Sequence, residues 1–329
     1  LHDALPISQH ADAEDFFNHY GDHGLFLKHG FKQLDAFKTE ALLQGIGIDP
    51  HIREDGKVFP QSKDAKQWLG AFSRVLAKCN VKVHTKARIT HLGQNAEGFW
   101  LLNDGGHNPY RAVVLATGGA SYPALGTSGD GYQLLSHLGL HVVKPKPALT
   151  AVQMTHPLKG MEGIVLPAAS VQIKRGNTFV KMAGNYTYGP NELLITHKGL
   201  SGPLILNCSR WIYPGDQLIV NWLGWTPEKL DEVLLKASEA HGKRLLASIL
   251  EDLPLPKRFV QRFVEMSKIE GGVTMANLSK KSRQLVVGHF CAFAIDEFEL
   301  VGFHQAMATA GGLDLNQVNS KTKIGRAHV

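Results

Sequence analysis

The sequence predicts an α/β fold in which a β-rich module and then a helical module interrupt the first part of the chain. Three observations support this prediction. Between residues 62 and 148, a helix pattern, a hairpin and a short apolar segment precede a glycine-rich loop and a second helix, an order typical of α/β domains. Residues 149–223 alternate apolar and polar side chains, which favours strands. Residues 227–287 repeat apolar side chains at helical spacing.

The composition is that of a globular protein: 43% of the 329 residues are hydrophobic and 19% are charged. No apolar run reaches the roughly 18 residues that a membrane span needs, so no membrane partner is expected. The formal net charge is +6, but Lys and Arg are scattered, which indicates a nucleic-acid partner only weakly. Three distant cysteines argue against a disulfide framework or a metal site, and they favour a cytoplasmic location.

Both ends of the chain have the sequence of translated sequencing adapters. Residues 1–7, LHDALPI, are the translation of CTACACGACGCTCTTCCGATCT, and residues 324–329, IGRAHV, are the translation of ATCGGAAGAGCACACGTC. We therefore expect both segments to be artefacts and the chain between them to be a fragment of a longer gene. A natural signal peptide would then lie outside the sequence.

Residues 62–80 predict an amphipathic helix that is capped by Ser62. Its apolar side chains share one face and comprise Trp68, Leu69, Phe72, Val75, Leu76 and Cys79. A short strand around Val81 and Val83 is expected next, and a hairpin begins at Gly98. Residues 113–116 are apolar on both faces, which predicts a buried parallel strand.

The elements after the glycine-rich loop follow the same logic. Residues 132–138 predict a helix that ends at Gly139 and leads into a strand. Further along, a turn at residues 175–177 joins two strands, and residues 216–223 form another strand. The helical module is broken at residues 253–256 by two prolines, and strand character returns over residues 289–303.

The glycine-rich loop is the first candidate site. Ala116, Thr117, Gly118 and Gly119 would lie at the carboxyl end of a buried strand, where open α/β sheets bind ligands. Glycine permits close contact with a flat or phosphorylated cofactor, and a helix that starts at Asp130 could hold an anion. A tight strand-to-helix turn without a ligand would give the same pattern.

Five segments in this order extend the pattern over nearly the whole chain: EDGKVFP, VVLATGGASYPALGTSGDGY, PALTAVQ, LLITHKGLSGPLIL and ATAGGLDLNQVNSKT. Together they resemble the HI0933-like (YhiN/BaiN-type) family of NAD(P)- and FAD-dependent oxidoreductases. The resemblance implies an FAD-binding Rossmann-like domain of the two-dinucleotide-binding type, over residues 8–148 and 307–323. It also implies a β-barrel insert over residues 149–226, with a return strand at 288–306, and a helical insert over 227–287.

The resemblance also implies the residues that contact the cofactor. They are Ala116, Thr117, Gly118 and Gly119 against FAD, Ser121 beside them, Ile89 or its neighbour Arg88 near the adenine, and Gly311 and Gly312 near the isoalloxazine. The family's first strand with its G-x-G-x-x-G turn, and its C-terminal flavin segment, do not occur here. The FAD domain is therefore expected to be incomplete.

His197 and Ser201, in THKGLSGP, are the catalytic candidates. An imidazole exchanges protons near neutral pH, so His197 could donate a proton to a reduced substrate, and Ser201 could hydrogen-bond the substrate. A structural role for His197 and a helix-capping role for Ser201 are the alternatives. Ser121 and Tyr122 could reach the flavin or the substrate, or could serve only in packing. The three cysteines offer no pair for a flavin–disulfide relay, and we expect them to be buried.

The function implied is that of an FAD-dependent oxidoreductase. Hydride would pass from NAD(P)H through the flavin to a small organic acceptor, such as an activated C=C bond. Two alternatives stay open. The protein could be a flavin-containing enzyme that modifies or binds RNA, or the chain could be an inactive fragment unable to hold FAD.

Overall fold

The structure is a computed structural model that describes residues 8–9, 16–17, 20–54, 56–62, 64–96, 98–103, 106–182, 185 and 187–324. The chain forms two compact units. The first unit comprises residues 1–115, 132–142 and 313–329, and the second comprises residues 116–131 and 143–312. The expected adapter segment at residues 1–7 lies outside the described residues, as does that at 324–329 except for Ile324. The mixed α/β class predicted from the sequence is confirmed.

The first unit begins with a small antiparallel sheet and three helices. The strands are β1 (Ser8–Gln9), β2 (Pro50–Ile52) and β3 (Lys57–Pro60), with β3 in the centre. The helices are α1 (Lys28–Gln33), α2 (Ala36–Gly45) and α3 (Ala65–Lys78). Their common core is small and is built from Leu43, Ile48 and Ala71.

Helix α3 confirms the amphipathic helix but corrects its details. Its cap is Asp64, whose Oδ1 accepts a hydrogen bond from Lys66 N at 2.8 Å, because Asp64 and not Ser62 directly precedes the first turn. The predicted burial of Cys79 is wrong, since this thiol is exposed beyond the end of the helix. The strand predicted around Val81 and Val83 is absent from the described residues, and both side chains are exposed.

A three-stranded antiparallel sheet confirms the predicted hairpin. It consists of β4 (His91–Asn95), β5 (Gly98–Asn103) and β6 (Gly106–Tyr110), with β5 in the centre. The buried strand predicted for residues 113–116 is wrong, because this segment has no strand conformation and Val114 is 89% exposed. A parallel strand is stable only between hydrogen-bonded neighbours, and the described residues place no strand beside this one.

The chain then crosses the glycine-rich loop into helix α4 (Asp130–His137), which ends, as predicted, before Gly139 at a φ of +68°. Strand β7 (Val142–Ala148) follows and confirms the expected strand.

The second unit contains an eight-stranded sheet. Its strands are β8 (Val152–Met154), β9 (Val165–Arg175), β10 (Thr178–Phe179), β11 (Tyr188–Ile195), β12 (Gly199–Ser201), β13 (Gln217–Asn221), β14 (Phe293–Ile295) and β15 (Phe298–Leu300). The order is β14-β13-β9-β11-β12-β8-β15, and β10 pairs with β9 across the predicted turn. A separate two-stranded sheet joins β7 to β16 (Ala308–Leu313).

Five α-helices lie among the described residues of the second unit. They are α5 (Gly202–Cys208), α6 (Pro227–Ala240), α7 (Leu246–Leu250), α8 (Lys257–Met266) and α9 (Lys280–Cys291). Helix α9 takes in residues 289–291, where strand character was expected, because its apolar side chains keep helical spacing up to Phe290 and Cys291. Within the described part of the chain, no helix is both long and apolar enough to cross a bilayer.

One apolar core unites the sheet and the helices of the second unit. Trp222, Phe259 and Phe263 are its largest buried side chains, each with no exposed surface. Cys208 and Cys291 are also buried, as predicted, and burial raises the pKa of Cys208 to about 12 and that of Cys291 to about 11. Both thiols are therefore protonated and chemically inert at neutral pH.

Candidate functional site

The structure brings the two glycine motifs of the sequence together in the second unit. Thr309, the second residue of β16, accepts a hydrogen bond at Oγ1 from Ala120 N at 2.9 Å, and its hydroxyl lies 3.0 Å from Ser121 Oγ. Next to these bonds, Tyr122 N donates to Phe303 O at 2.9 Å. The loop of residues 116–131, named here the glycine loop, is thus anchored to a segment almost 190 positions away in sequence.

The glycines of this pair of segments have conformations or contacts that a side chain would disrupt. Gly118 has a φ of +73° and Gly311 a φ of +93°, in the left-handed region that favours glycine. A Cβ at Gly311 would lie only 2.8 Å from Lys144 O and 2.9 Å from Val143 O on the neighbouring strand β7. Glycine at 311 therefore lets β16 pack closely against β7.

Inside the glycine loop, one glycine serves an internal contact. A Cβ at Gly131 would overlap Thr117 Oγ1, so Thr117 packs directly onto the first turn of α4. Anion binding by the free N–H groups at the start of α4 stays a prediction.

The exposed part of the loop fits a flat cofactor. Ala116, Thr117 and Gly118 are exposed, and a Cβ at Gly118 would contact only Thr127 Cγ2, at 3.1 Å. Backbone without a side chain on one face is the surface that a planar ring system approaches. Gly119 and Ser121 are half-buried beside it, and Gly312, with a φ of +114°, continues β16. Gly312 itself is buried, and the contact of these residues with a flavin stays a prediction.

Ile89, the remaining predicted cofactor contact, belongs to the first unit. It is half-buried in a segment without strand conformation, and it directly precedes the exposed Thr90. Its contact with the adenine stays a prediction.

His197 lies at the turn between β11 and β12 and is exposed. Among the described residues it makes no hydrogen bond to the glycine loop. It lies near Glu162, whose pKa is lowered mainly by the backbone N–H groups of Glu162 and Gly160 and further by His197 and Arg258. The structure thus shows His197 in a charged surface setting, and its catalytic role stays a prediction.

Ser201 occupies the N-cap position of α5 without capping it, since its side chain makes no capping hydrogen bond. The expected cap is therefore wrong. The backbone at this point is fixed by glycines instead: Gly202 has a φ of +87°, and a Cβ at Gly199 would overlap Val152 O of the neighbouring strand. Close strand contact, rather than a hydroxyl, determines where the chain enters the helix. A contact of Ser201 with substrate stays a prediction.

Sequence inspection missed Thr309, the residue that joins the two motifs. A single threonine within ATAGGL carries no pattern of its own, and only the fold shows its partners. The glycine pair that follows it, Gly311 and Gly312, was the available signal in this segment.

We expect Thr309→Val to loosen the glycine loop while preserving the shape of the side chain. The change leaves Ala120 N without its acceptor, and an unpaired backbone donor costs about 1–3 kcal/mol. Hydrogen exchange of the Ala120 amide should accelerate by about tenfold or more. Thr309→Ser, which keeps the hydroxyl, should leave the exchange rate close to that of the parent. Equal rates in the two variants would show that this hydrogen bond does not hold the loop.

Comparisons with known proteins give the family context of these motifs. Residues 4–326 match the HI0933-like protein Rossmann domain. The chain is 28% identical over 306 residues to a ribosomal RNA dihydrouridine synthase of Escherichia coli (strain K12), covering 92% of this chain and 72% of that protein. It is 26% identical over 324 residues to a 3-dehydro-bile acid delta(4,6)-reductase of Clostridium scindens, covering 96% and 77%. A ribosomal RNA dihydrouridine synthase of Haemophilus influenzae is 27% identical over 304 residues, covering 90% and 72%.

Proposed function

Since the chain belongs to the HI0933-like family, we propose that it is a flavin-dependent oxidoreductase that adds hydrogen to an activated C=C bond, with NAD(P)H as electron donor. Family membership and the relative named as a reductase support the coarser part, a flavin oxidoreductase. The donor and the acceptor are our proposal.

The observation that carries the proposal is the pairing of the glycine loop with β16 through Thr309. It places exposed Gly118 and the Gly311–Gly312 pair in the same unit, on two segments joined by side-chain hydrogen bonds. Gly118 leaves a stretch of exposed backbone without a Cβ atom, which suits a planar ligand, while Gly311 holds β16 against β7 beside it.

A bound flavin supplies the two-electron chemistry, while the protein orients it and keeps water away. The role we assign to the glycine loop and β16 is to hold the ring system in place, with Ser121 and Thr309 fixing the loop through their hydroxyls. Saturating a C=C bond also requires a proton, and His197 is the candidate for its delivery. That assignment needs the acceptor to approach the β11–β12 turn.

The names of the relatives indicate the class of acceptor. A delta(4,6)-reductase acts on double bonds, and dihydrouridine is uridine with one ring C=C bond saturated. In both cases, the double bond is conjugated to a carbonyl group, which makes it a hydride acceptor. We therefore propose an α,β-unsaturated carbonyl compound as the substrate class.

A second candidate is specific for RNA. Two of the relatives carry the name ribosomal RNA dihydrouridine synthase, and the net charge of +6 is compatible with a polyanionic substrate. In this case the acceptor would be a uracil base in ribosomal RNA. The chemistry would be the same, and only the binding of the substrate would differ.

The test is a visible absorption spectrum of the purified chain, before and after addition of FAD. We expect flavin bands that survive gel filtration and that bleach when NADPH or NADH is added without oxygen. Reoxidation is then measured with a dienone steroid and, separately, with ribosomal RNA. A chain that retains no flavin from either source would contradict the proposal. Bleaching that only one acceptor reverses would identify the substrate.

A further inference from the structure

A cavity opens in the second unit at one end of the β8–β15 pair. Its volume is about 450 Å³, within the range of about 300–1,000 Å³ that is typical of small-molecule sites. Four segments line it: the end of β8 with the chain that follows, the end of α8, the last turn of α9, and β14 with the turn after it. We name it the His289 cavity, after the imidazole in its wall.

The His289 cavity lies away from the glycine loop. Strands β8 and β15 are antiparallel, with Phe298 opposite Met154, and the cavity borders this end of the pair. From the other end, the chain continues to Phe303, whose carbonyl oxygen accepts a hydrogen bond from Tyr122 N of the glycine loop. A ligand in the cavity would therefore not compete with a flavin held by the glycine loop.

The inner wall of the cavity is apolar and contains groups that interact well with aromatic rings. Met154, Leu158 and Ile295 are buried, with at most 8% of their surface exposed. Phe293 is half-buried, and Met266 is 40% exposed. Aromatic rings and thioether sulfur atoms both make favourable contacts with a further ring. This wall therefore suits a flat aromatic ligand.

His289 is the first polar group in the cavity that lacks a partner. Its ring is half-buried, with its centroid 6.2 Å from that of Phe293 and 6.4 Å from that of Phe263. Neither ring nitrogen makes a hydrogen bond to any residue that the structure describes. Burial lowers the pKa of His289, so the imidazole is uncharged at neutral pH and offers one donor and one acceptor.

Ser267, which directly follows α8, is the second polar group without a partner. It lines the cavity, and its Oγ is buried without a hydrogen bond to the described part of the chain. An unpaired buried hydroxyl costs about 1–3 kcal/mol. Rotation about the Cα–Cβ bond moves a serine hydroxyl to another staggered position, so a polar ligand group in the cavity could become its partner.

The charged side chains of the cavity are exposed at its rim. Glu297 Oε2 lies 3.6 Å from His156 Nε2, and these side chains are 66% and 87% exposed. Asp296 accepts a hydrogen bond from Gln217 Nε2, and Lys268 is exposed as well. The rim thus carries charges of both signs, while the interior is uncharged. Because a charge that is buried without a partner is costly, this arrangement favours an uncharged ligand.

We propose that the His289 cavity binds an uncharged aromatic molecule that carries one hydroxyl or carbonyl group. The ring would pack against Met154, Leu158 and Phe293. The polar group would form a hydrogen bond with His289, and Ser267 would be its second partner. This site is additional to the proposed flavin site and does not depend on it.

Equilibrium dialysis with 2-naphthol and naphthalene tests the proposal, because the two probes differ only in the hydroxyl group and are both uncharged at neutral pH. We expect His289→Phe, which keeps a ring, to weaken binding of 2-naphthol by about tenfold and that of naphthalene by less than about twofold. His241→Phe replaces an exposed histidine outside the cavity and should change neither. Equal losses for the two probes in His289→Phe, or no binding of 2-naphthol to the parent, would overturn the proposal.

Ala294→Trp tests whether the probes occupy this cavity. Ala294 lies on β14, is exposed and lines the cavity, so an indole there would occupy the space without removal of a buried group. Both probes should then bind at least about tenfold more weakly. Unchanged binding would place the probes elsewhere and would contradict the proposal.

The charge of the ligand is tested with 2-naphthoate, which carries a carboxylate on the same ring system. We expect it to bind at least about tenfold more weakly than 2-naphthol at neutral pH, because the interior offers no cation. Tighter binding of 2-naphthoate would show that the cavity selects an anion instead. The thermal midpoint and the flavin spectrum of each variant show separately whether the fold and the cofactor region are intact.

Discussion

Replacing Trp222 with alanine is expected to lower the free energy of unfolding by about 3–5 kcal/mol, the range found for large aromatic side chains removed from cores. Trp222 has no exposed surface, and its ring lies 5.5 Å from Phe259, 5.6 Å from Phe263 and 5.6 Å from Phe293. Phe259 and Phe263 belong to helix α8, and Phe293 belongs to strand β14. Because neither element can fill the space of the indole without moving, a cavity should remain. Urea denaturation followed by circular dichroism measures the loss.

Trp222→Phe separates the packing of the aromatic ring from the effect of the indole N–H group. The indole Nε1 of Trp222 is buried without a hydrogen-bond partner among the described residues, and such a donor costs about 1–3 kcal/mol. Phenylalanine keeps most of the ring and removes this donor, so its effect should be clearly smaller than that of alanine. Leu245→Ala, at a position 46% exposed, is the control and should change stability by less than about 0.5 kcal/mol. A loss under about 1 kcal/mol in Trp222→Ala would show that this core repacks freely.

The second unit was the more predictable part of the chain, for a physical reason. Residues 149–223 alternate apolar and polar side chains and residues 227–287 repeat apolar side chains at helical spacing, so short-range patterns already indicate strands in the first segment and helices in the second. Helix starts with a clear capping residue, such as Thr226 and Ser279, also follow from local chemistry.

The first unit shows where local patterns fail. Residues 113–116 are as apolar as a buried strand, yet Val114 is 89% exposed, because a strand depends on hydrogen bonds from neighbours that its own sequence does not specify. Val81 and Val83 fail for the same reason. An apolar pattern correctly indicates that a segment favours burial, but the segment is buried only where another part of the chain packs against it.

The candidate site likewise contains residues that the sequence predicts and residues that it does not. Gly118 could be identified from the glycine-rich loop after the apolar segment, and Gly311 and Gly312 from the family resemblance; all three have a positive φ, which favours glycine. Thr309 could not, since its role arises from a partner many positions away in the sequence, Ala120. Short-range patterns thus locate the backbone of a site better than its side chains.

Gly311→Ala is expected to remove flavin from the purified protein. At a φ of +93°, alanine carries backbone strain of about 1–3 kcal/mol, and its Cβ would also press on Lys144 O and Val143 O. Carbonyl oxygens of a paired strand cannot rotate away as a side chain can, so β16 must separate from β7. Re-forming the β7–β16 pair then costs free energy, and each 1.4 kcal/mol of this cost weakens flavin binding about tenfold. We therefore expect the flavin content, measured by absorbance, to fall at least tenfold.

Gly272→Ala is the matched control for this experiment. Gly272 is exposed, has no positive φ, and a Cβ there would have nothing within 4 Å, so neither strain nor overlap arises. Its flavin content and thermal midpoint should equal those of the parent. A Gly311→Ala protein with a lowered midpoint but full flavin content would show that β16 stabilises the fold without contacting the cofactor. Because the eight-stranded sheet of the second unit does not include β16, its circular dichroism should persist, and the loss of flavin can be assigned to the strand pair itself.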